Sequence, residues 1–360
     1  MNAAGPSQGA KAPSGGSEPP AVGERGGDLN AAGPPQSSSH RSAQHGGFPV
    51  TAGGTRLIEL IDNAARQLQE AGVAFGHGTD NAFDEAAWLV LWRLGLPLDT
   101  PLDGPDSAAD QQVTADHCAQ VAALLHERIG SRKPAAYLTR EAWLQGVPFY
   151  VDERCIVPRS LIAELLAHPE HGGGFDPWLG EHTTRVLDLC TGNGSLAVLA
   201  AMVYPDVTVD GADISADALA VARINVARHA LQDRIRLIES DALASVGRYD
   251  LILCNPPYVN ADSMAALPAE YRAEPALALA GALDGMDFVR RLVGQAPDHL
   301  EAGGVLVLEI GNERPHFEAA FPALEAVWLD TSAGGDQVLL LTRDALLAWR
   351  RGHPEPTANP

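Results

Sequence analysis

Two short stretches of this chain carry residue types whose spacing could do chemistry. The first is Asp188-Leu189-Cys190-Thr191-Gly192-Asn193-Gly194-Ser195, an acid in an apolar run followed by a glycine turn. Gly192 and Gly194 remove side chains where a ligand must touch backbone, and the helix predicted from Ser195 offers free N–H donors at its start. Such a turn accepts a nucleotide or an amino-acid carboxylate. A phosphate-gripping dinucleotide loop would read G-x-G-x-x-G, but position 197 is Ala, and Asp188 would repel a phosphate and welcome an ammonium group. Two further acids end the next predicted strands. Asp213 stands near the position where an acid accepts both hydroxyls of a ribose, and Asp241, in Ser240-Asp241-Ala242-Leu243, could border an adenine ring. Singly, Asp213 reads equally as a solvated turn and Asp241 as a helix cap. Three acids at three successive strand ends point to a ligand cleft, since parallel sheets bind ligands at those ends.

The second stretch is Asn255-Pro256-Pro257-Tyr258, directly after the apolar run Tyr249 to Cys254. Two prolines stiffen the turn and leave the carbonyls of Asn255 and Pro256 as acceptors. The Asn255 side-chain oxygen is a further acceptor, and Tyr258 offers a flat face. An –NH₂ group on a planar π system would be held by two hydrogen bonds while its plane stacks on the tyrosine, which aims the nitrogen lone pair at a sulfonium methyl. An amide nitrogen is a feeble nucleophile. Catalysis would therefore come from alignment and from acceptors that strengthen as positive charge develops on nitrogen, with no strong general base required. An Asn-Pro-Pro turn alone would read as an ordinary proline-rich corner; following the Asp188 loop, it reads as a substrate clamp.

These motifs need a scaffold, and the apolar pattern supplies one. Residues 1–52 are rich in Gly, Pro, Ser and Ala with almost no large apolar residue, which predicts a disordered tail. Over 53–132, Leu57, Ile61, Ala65 and Leu68 recur at helical spacing, Asp84 is placed to cap a helix carrying Ala87, Leu91 and Leu94, and a third helix runs from about Thr114 to Ile129 with Val121, Leu124, Leu125 and Arg128. This predicts a small helical, substrate-recognition domain. Between 133 and 160 the aromatic and β-branched residues of Ala135 to Val157, broken by Gly146 and Pro148, predict a β-hairpin linker. From 161 to 346 strands and helices alternate in βαβ rhythm, predicting an α/β doubly wound sheet, and 347–360 reads as a flexible C-terminal tail.

Composition narrows the class. With 46% hydrophobic content in 360 residues the chain can bury a large core. Cys118, Cys155, Cys190 and Cys254 are scattered, with no C-x-x-C pair, so neither a metal site nor a disulfide framework is indicated. No apolar run approaches a membrane span and no secretory signal opens the chain, so a cytoplasmic protein without membrane contact is expected. A net charge of −21 argues against direct nucleic-acid binding and suits a basic protein partner or simple solubility.

On these residues the chain resembles the class I S-adenosylmethionine methyltransferases, and more closely the HemK-like protein glutamine N5-methyltransferases, over about residues 55–345. The resemblance implies S-adenosylmethionine as cofactor, held by Thr191, Gly192, Asn193, Gly194, Ser195 and Asp213 with Asp188 and Asn255 adjoining, its adenine flanked by Asp241 and Ala242, and a substrate glutamine held by Asn255, Pro256, Pro257 and Tyr258. Relatives often carry a bulky residue where Ala242 sits. Of two subfamilies, one acts on the Gly-Gly-Gln loop of release factors and the other on large-subunit ribosomal protein L-three. The run Gly76 to Ala86, the segments Arg140-Glu141-Ala142-Trp143 and Val157-Pro158-Arg159-Ser160, and the Leu189-Cys190-Thr191-Gly192 turn are similar to the second. An adenine N6-methyltransferase is the main rival, since adenine also presents a planar –NH₂, but no basic track is evident. A nicotinamide oxidoreductase is opposed by the missing third glycine, and a non-catalytic assembly factor by the intact Asn255 turn. His77 reads as a structural loop histidine and Trp88 and Trp92 as core contacts. Arg159 reads equally as a cleft residue or an exposed one, and Asp284-Gly285-Met286-Asp287 resembles a family loop near the site without a derivable role.

Overall fold

The computed structural model describes residues 54–167, 174, 176–180 and 182–353; the tail expected over 1–52 lies outside the described residues. The first layer is helical. A two-residue strand β1 (Thr55–Arg56) pairs antiparallel with β2 (Gln112–Val113), tying the ends of a bundle made by α1 (Leu57–Glu70), α2 (Ala82–Leu94) and α3 (Ala115–Ser131). Leu57, Leu60, Ile61, Ala64 and Leu68 form the buried stripe of α1, packed on Leu89, Val90 and Leu91 of α2 and Val121 and Leu125 of α3. Asn81, not Asp84, caps α2: its side chain accepts from the Asp84 amide at 3.0 Å, and Asp84 sits in the first turn, where its charge suits the helix dipole. Trp88 and Trp92 pack against this bundle's core.

The linker departs from the hairpin expected over 133–160. Ala135–Thr139 is a short helix, α4, with Ala135, Ala136 and Tyr137 buried and the Tyr137 hydroxyl donating to the Cys155 carbonyl at 2.5 Å. Only β3 (Ala142–Leu144) and β4 (Val147–Phe149) pair, through a two-residue turn in which Gln145 and Gly146 both have positive φ, the geometry that matches strand twist. Pro148 is tolerated because this sheet has two strands and so only edges.

The remainder is a seven-stranded α/β sheet. After α5 (Ile162–Ala167) come β5 (Arg185–Leu189), α6 (Ser195–Val203), β6 (Thr208–Asp213), α7 (Ala216–Arg228), β7 (Ile235–Glu239) and β8 (Tyr249–Cys254). The chain continues through α8 (Ala261–Ala266), α9 (Ala269–Arg272), α10 (Asp287–His299), β9 (Leu300–Glu309), α11 (Arg314–Ala320), β10 (Val327–Thr331), β11 (Gly334–Thr342) and α12 (Arg343–Gly352). The sheet order is β10-β11-β9-β8-β5-β6-β7, parallel from β9 to β7, with β11 antiparallel to both its neighbours. Because β5 feeds β6 on one side while β8 lies on the other, the order reverses beside β5, where an open parallel sheet leaves a crevice at its carboxyl end. The central strands are apolar on both faces, as a doubly covered sheet requires: Val186 and Leu251 face one cluster, Leu187 and Ile252 the other.

Where the apolar pattern suggested a tail beginning at 347, α12 runs on to Gly352. Leu346 is fully buried, Trp349 meets Phe321 edge-on at 5.5 Å, and Arg350 reaches Asp298 at 2.7 Å. Burying one leucine contributes about 2 kcal/mol, enough with these contacts to hold a helix too short to persist alone.

Candidate active site

The turn after β5 is shaped by its own acid. Asp188 is buried, with one carboxylate oxygen accepting from the Thr191 hydroxyl and, at 2.9 Å, from the Ala197 amide inside α6. It therefore anchors the loop to the helix and does not line the cleft, where the sequence pattern had placed it facing an ammonium group. Burial pushes its carboxyl up to about 7, against the hydrogen bonds from Thr191 and Ala197. Between the ordinary aspartate value and 7 the folded chain binds a proton that the unfolded chain has released, so this group makes stability fall as pH rises through that window, and the deficit persists above it. Asp188→Asn keeps an oxygen for Ala197 and abolishes the titration. The variant is expected to lose less stability than the parent between pH 4 and 7. Denaturant melts at pH 5 and 8 check this; parallel pH dependence in both proteins would contradict it.

The two glycines divide their roles. Gly192, at φ +55°, lines the cleft, and a Cβ there would find only the Cys190 carbonyl, at 4.0 Å. Gly194, at φ +81°, faces α7: a Cβ would lie 3.1 Å from that of Ala222, so its smallness serves helix packing. Thr191, Asn193 and Ser195 are buried behind the turn, where the Asn193 carbonyl accepts from Asn225 at 2.8 Å and its side chain accepts from the Ser195 amide at 3.2 Å.

Asp213, ending β6, lines the cleft. Its two carboxylate oxygens accept from the amides of Gly192 and Ser215, each at 2.9 Å, which locks its position against the glycine turn. Burial raises its pKa, partly offset by those amides. At the next strand end Ala242, with φ +49°, lines the same cleft, and Asp241 stands exposed at its rim, paired with Arg291 at 3.1 Å. Phe288 from α10 forms the adjoining wall, with the Arg291 guanidinium 5.5 Å from its ring centroid. Phe288 was missed from sequence; its only signal was its place directly after Asp284-Gly285-Met286-Asp287.

The corner after β8 completes the cleft, a cavity of about 620 Å³. Asn255 and Pro257 line it; Pro256 is buried and Tyr258 lies outside its lining. Among the described residues no group hydrogen-bonds the Asn255 carboxamide, whereas the Tyr258 ring rests on Gly311, whose Cβ would fall 2.6 Å from the ring, and its hydroxyl lies 3.5 Å from a Glu309 oxygen. Glu309, at the end of β9, is buried and accepts from the Ser160 hydroxyl at 2.5 Å and the Leu161 amide at 2.9 Å. Burial pushes it up to about 6 in spite of those donors. Behind the corner, Val259 bridges Ala280 in parallel, with the Gly281 amide donating to the Val259 carbonyl at 2.9 Å. The Asp284–Asp287 loop thereby gains a role: Gly285 is pressed against the Tyr258 carbonyl, and Arg290 bridges Asp284 to hold the loop.

The remaining wall comes from Arg154, Cys155 and Ile156 in the linker and from residues 275–278 and 280–282. Arg159 does not line the cavity. It makes a two-pronged pair with Glu274, at 2.7 and 2.8 Å. His77 is buried, 3.5 Å from the same carboxylate, with its ring 4.2 Å from that of Tyr271.

The family model described as Methyltransferase small domain matches residues 177–271. The ribosomal protein uL3 glutamine methyltransferase of Bordetella pertussis (strain Tohama I) is 54% identical over 294 residues, covering 81% of this chain and 96% of that protein. The protein of the same name from Burkholderia pseudomallei (strain K96243) is 51% identical over 301 residues, 81% of this chain and 95% of that one. Among solved structures, the ribosomal protein L11 methylase of Lactobacillus delbrueckii subsp. bulgaricus aligns at 21% identity and a TM-score of 0.34, covering 51% of this chain and 75% of that chain.

Proposed function

This chain belongs to the ribosomal protein uL3 glutamine methyltransferases, and on that premise we propose that it moves a methyl group from S-adenosylmethionine to the side-chain amide nitrogen of a glutamine in uL3. It is a methyltransferase of the α/β class I type, acting on a protein glutamine. Among the described residues no helix is long and apolar enough to cross a membrane.

The residues lining the cleft fit the cofactor. A cavity of about 620 Å³ presents the fixed Asp213 carboxylate, the open backbone at Gly192 and the apolar wall of Ala242 and Phe288, but no glycine–lysine phosphate cradle. Asp213 is the group to hold ribose hydroxyls. Ala242 and Phe288 are the walls for adenine, with Asp241 at the rim, and the backbone of the Gly192 turn is the place for the amino-acid end. Asp188, Thr191, Asn193, Gly194 and Ser195 support that turn from behind. When bound, S-adenosylmethionine supplies a methyl group made electrophilic by its sulfonium.

The single observation that carries the reading is that Asn255, its carboxamide without a protein partner among the described residues, lines the same cavity as Gly192 and Asp213. Asn255 Oδ1 and the Pro256 carbonyl accept the two N–H bonds of the substrate amide, and the stiff Pro256-Pro257 backbone holds both acceptors still. Tyr258, outside the cavity lining, is braced on Gly311 and stiffens the corner from behind. Acceptors held in advance at the nitrogen stabilise the positive charge that grows there during transfer. The N-methylated, protonated amide is strongly acidic and releases its proton without a dedicated base.

Labelled methyl transfer to purified uL3 and, side by side, to peptide release factors tests the assignment. Label on uL3 and none on release factors is expected. Label on release factors alone would overturn the substrate while keeping the reaction, and label on neither would overturn both.

A further inference from the structure

The helical layer does more than sit beside the cleft. Glu274 stands directly before Pro275, where the cavity wall formed by residues 275–278 and 280–282 begins, and its side chain is fully buried. Two separate parts of the chain converge on its carboxylate. The Val157 amide donates at 2.9 Å and Arg159 donates through both terminal nitrogens at 2.7 and 2.8 Å, all from the linker; His77, from the loop between α1 and α2, lies 3.5 Å away. Burial works against the charge, but His77 and Arg159 outweigh it and hold the carboxyl at about 2.

The same short segment is clamped one turn earlier. Glu270 accepts from Arg128, in the last turn of α3, at 3.4 Å and from Arg132, the residue that caps its end, at 3.1 Å. Arg128 is itself buried and pairs with Glu85 of α2 at 2.8 Å. Between the two acids the Tyr271 ring is held by His77 on one side and by the Arg159 guanidinium, 5.4 Å from its centroid, and its hydroxyl is pressed onto the backbone of Gly76. Buried charges of this kind are costly and add little net stability, yet they fix geometry because no alternative partner is within reach.

We propose that Glu274 is a positioning residue for methyl transfer, joining the Gly76–His77 loop and the Val157–Arg159 linker to the 275–282 wall so that the helical layer sets the shape of the substrate slot. This rests on the reaction proposed above. Arg159 is the partner that makes it testable, since lysine keeps the charge but cannot make the two-pronged contact.

Glu274→Gln and Arg159→Lys are each expected to lower kcat/KM for the protein acceptor about tenfold or more, the scale of a slot displaced by a fraction of an ångström. Because Arg159 and Glu274 act as one unit, the Arg159→Lys/Glu274→Gln double variant should lose little more than Glu274→Gln alone. The decisive readout needs no acceptor: amide hydrogen exchange over 275–282 should rise about tenfold or more in both single variants, while β5 and β8 exchange as in the parent. Unchanged exchange over 275–282, an equal rise in β5 and β8, or multiplicative losses in the double variant would each overturn the proposal. Should Glu274→Gln not fold, Arg159→Lys carries the same exchange test alone. If the parent transfers no methyl to uL3, the proposed substrate fails while the exchange result still decides the role of Glu274.

Discussion

Replacing Asn255 by alanine is expected to lower turnover on the protein glutamine by roughly 10²-fold or more, the loss typical of removing one preorganised polar group, while S-adenosylhomocysteine still binds nearly as before. The expectation follows from where the side chain is and what it does not do. Asn255 lines the cavity and its carboxamide has no protein partner among the described residues, so truncation breaks no structural hydrogen bond. Asp213 and the Gly192 turn, which are the groups for the cofactor, keep their mutual bond at 2.9 Å without it. What disappears is an acceptor for the N–H of a substrate amide. Isothermal calorimetry with the cofactor product and single-turnover kinetics with the acceptor separate the two effects. Unchanged turnover would remove the corner from the mechanism, and a parallel loss of cofactor affinity would move Asn255 to a purely cofactor-binding role.

The second large effect is expected from a residue that touches neither reactant. Gly285 has φ +78°, and a Cβ built on it would overlap the carbonyl oxygen of Tyr258, a backbone atom that cannot swing aside. Gly285→Ala therefore adds backbone strain of about 1–2 kcal/mol and displaces the Asn255–Tyr258 corner, and a shift of the order of 1 Å costs about 10²-fold in rate. Gly104 provides the control: its φ is +76°, but nothing lies within 4 Å of the position a Cβ would take. Gly104→Ala should show the strain without the loss of methyl transfer. Thermal melts and initial rates on both variants check the pair; equal activities would show that the Asp284–Asp287 loop does not shape the corner.

Much of the site was legible because its chemistry follows from the fold's logic. In a parallel sheet every strand points its carboxyl end at the same crevice, so Asp213, Asp241 and Asn255, each ending or following an apolar run, had to approach one another wherever the intervening helices lay. The same logic misplaced Asp188. An acid at a strand end reads alike whether it faces a ligand or turns back to hold its own loop, and only the bonds to Thr191 and the Ala197 amide distinguish the two. Gly194 failed similarly, since a glycine needed for contact with Ala222 and one needed for a ligand leave the same mark.

Long-range ion pairs left no mark at all. Arg128 and Glu270 are 142 positions apart, and although helical spacing puts Arg128 on the face of Val121, Leu124 and Leu125, nothing in the sequence names its partner. Glu309 and Glu274 were hidden for the same reason: a buried acid is revealed by its partners, and those partners come from other elements. The C-terminal helix is not legible in the sequence, because a run with several charges around Leu346 and Trp349 looks like a solvated end until Phe321 and Asp298 are beside it. Ala135–Thr139 was read as strand from its aromatic neighbours, whereas burial of Ala135, Ala136 and Tyr137 and the Tyr137–Cys155 bond favour a helical turn.

A crystal of the chain with S-adenosylhomocysteine and a glutamine-bearing peptide of uL3 would test the central claim most directly. The glutamine amide nitrogen should lie within hydrogen-bonding distance, about 3 Å, of Asn255 Oδ1 and of the Pro256 carbonyl oxygen, with its lone pair directed at the homocysteine sulfur. A peptide whose amide sits away from Asn255, or a sulfur separated from that corner by protein, would contradict the account.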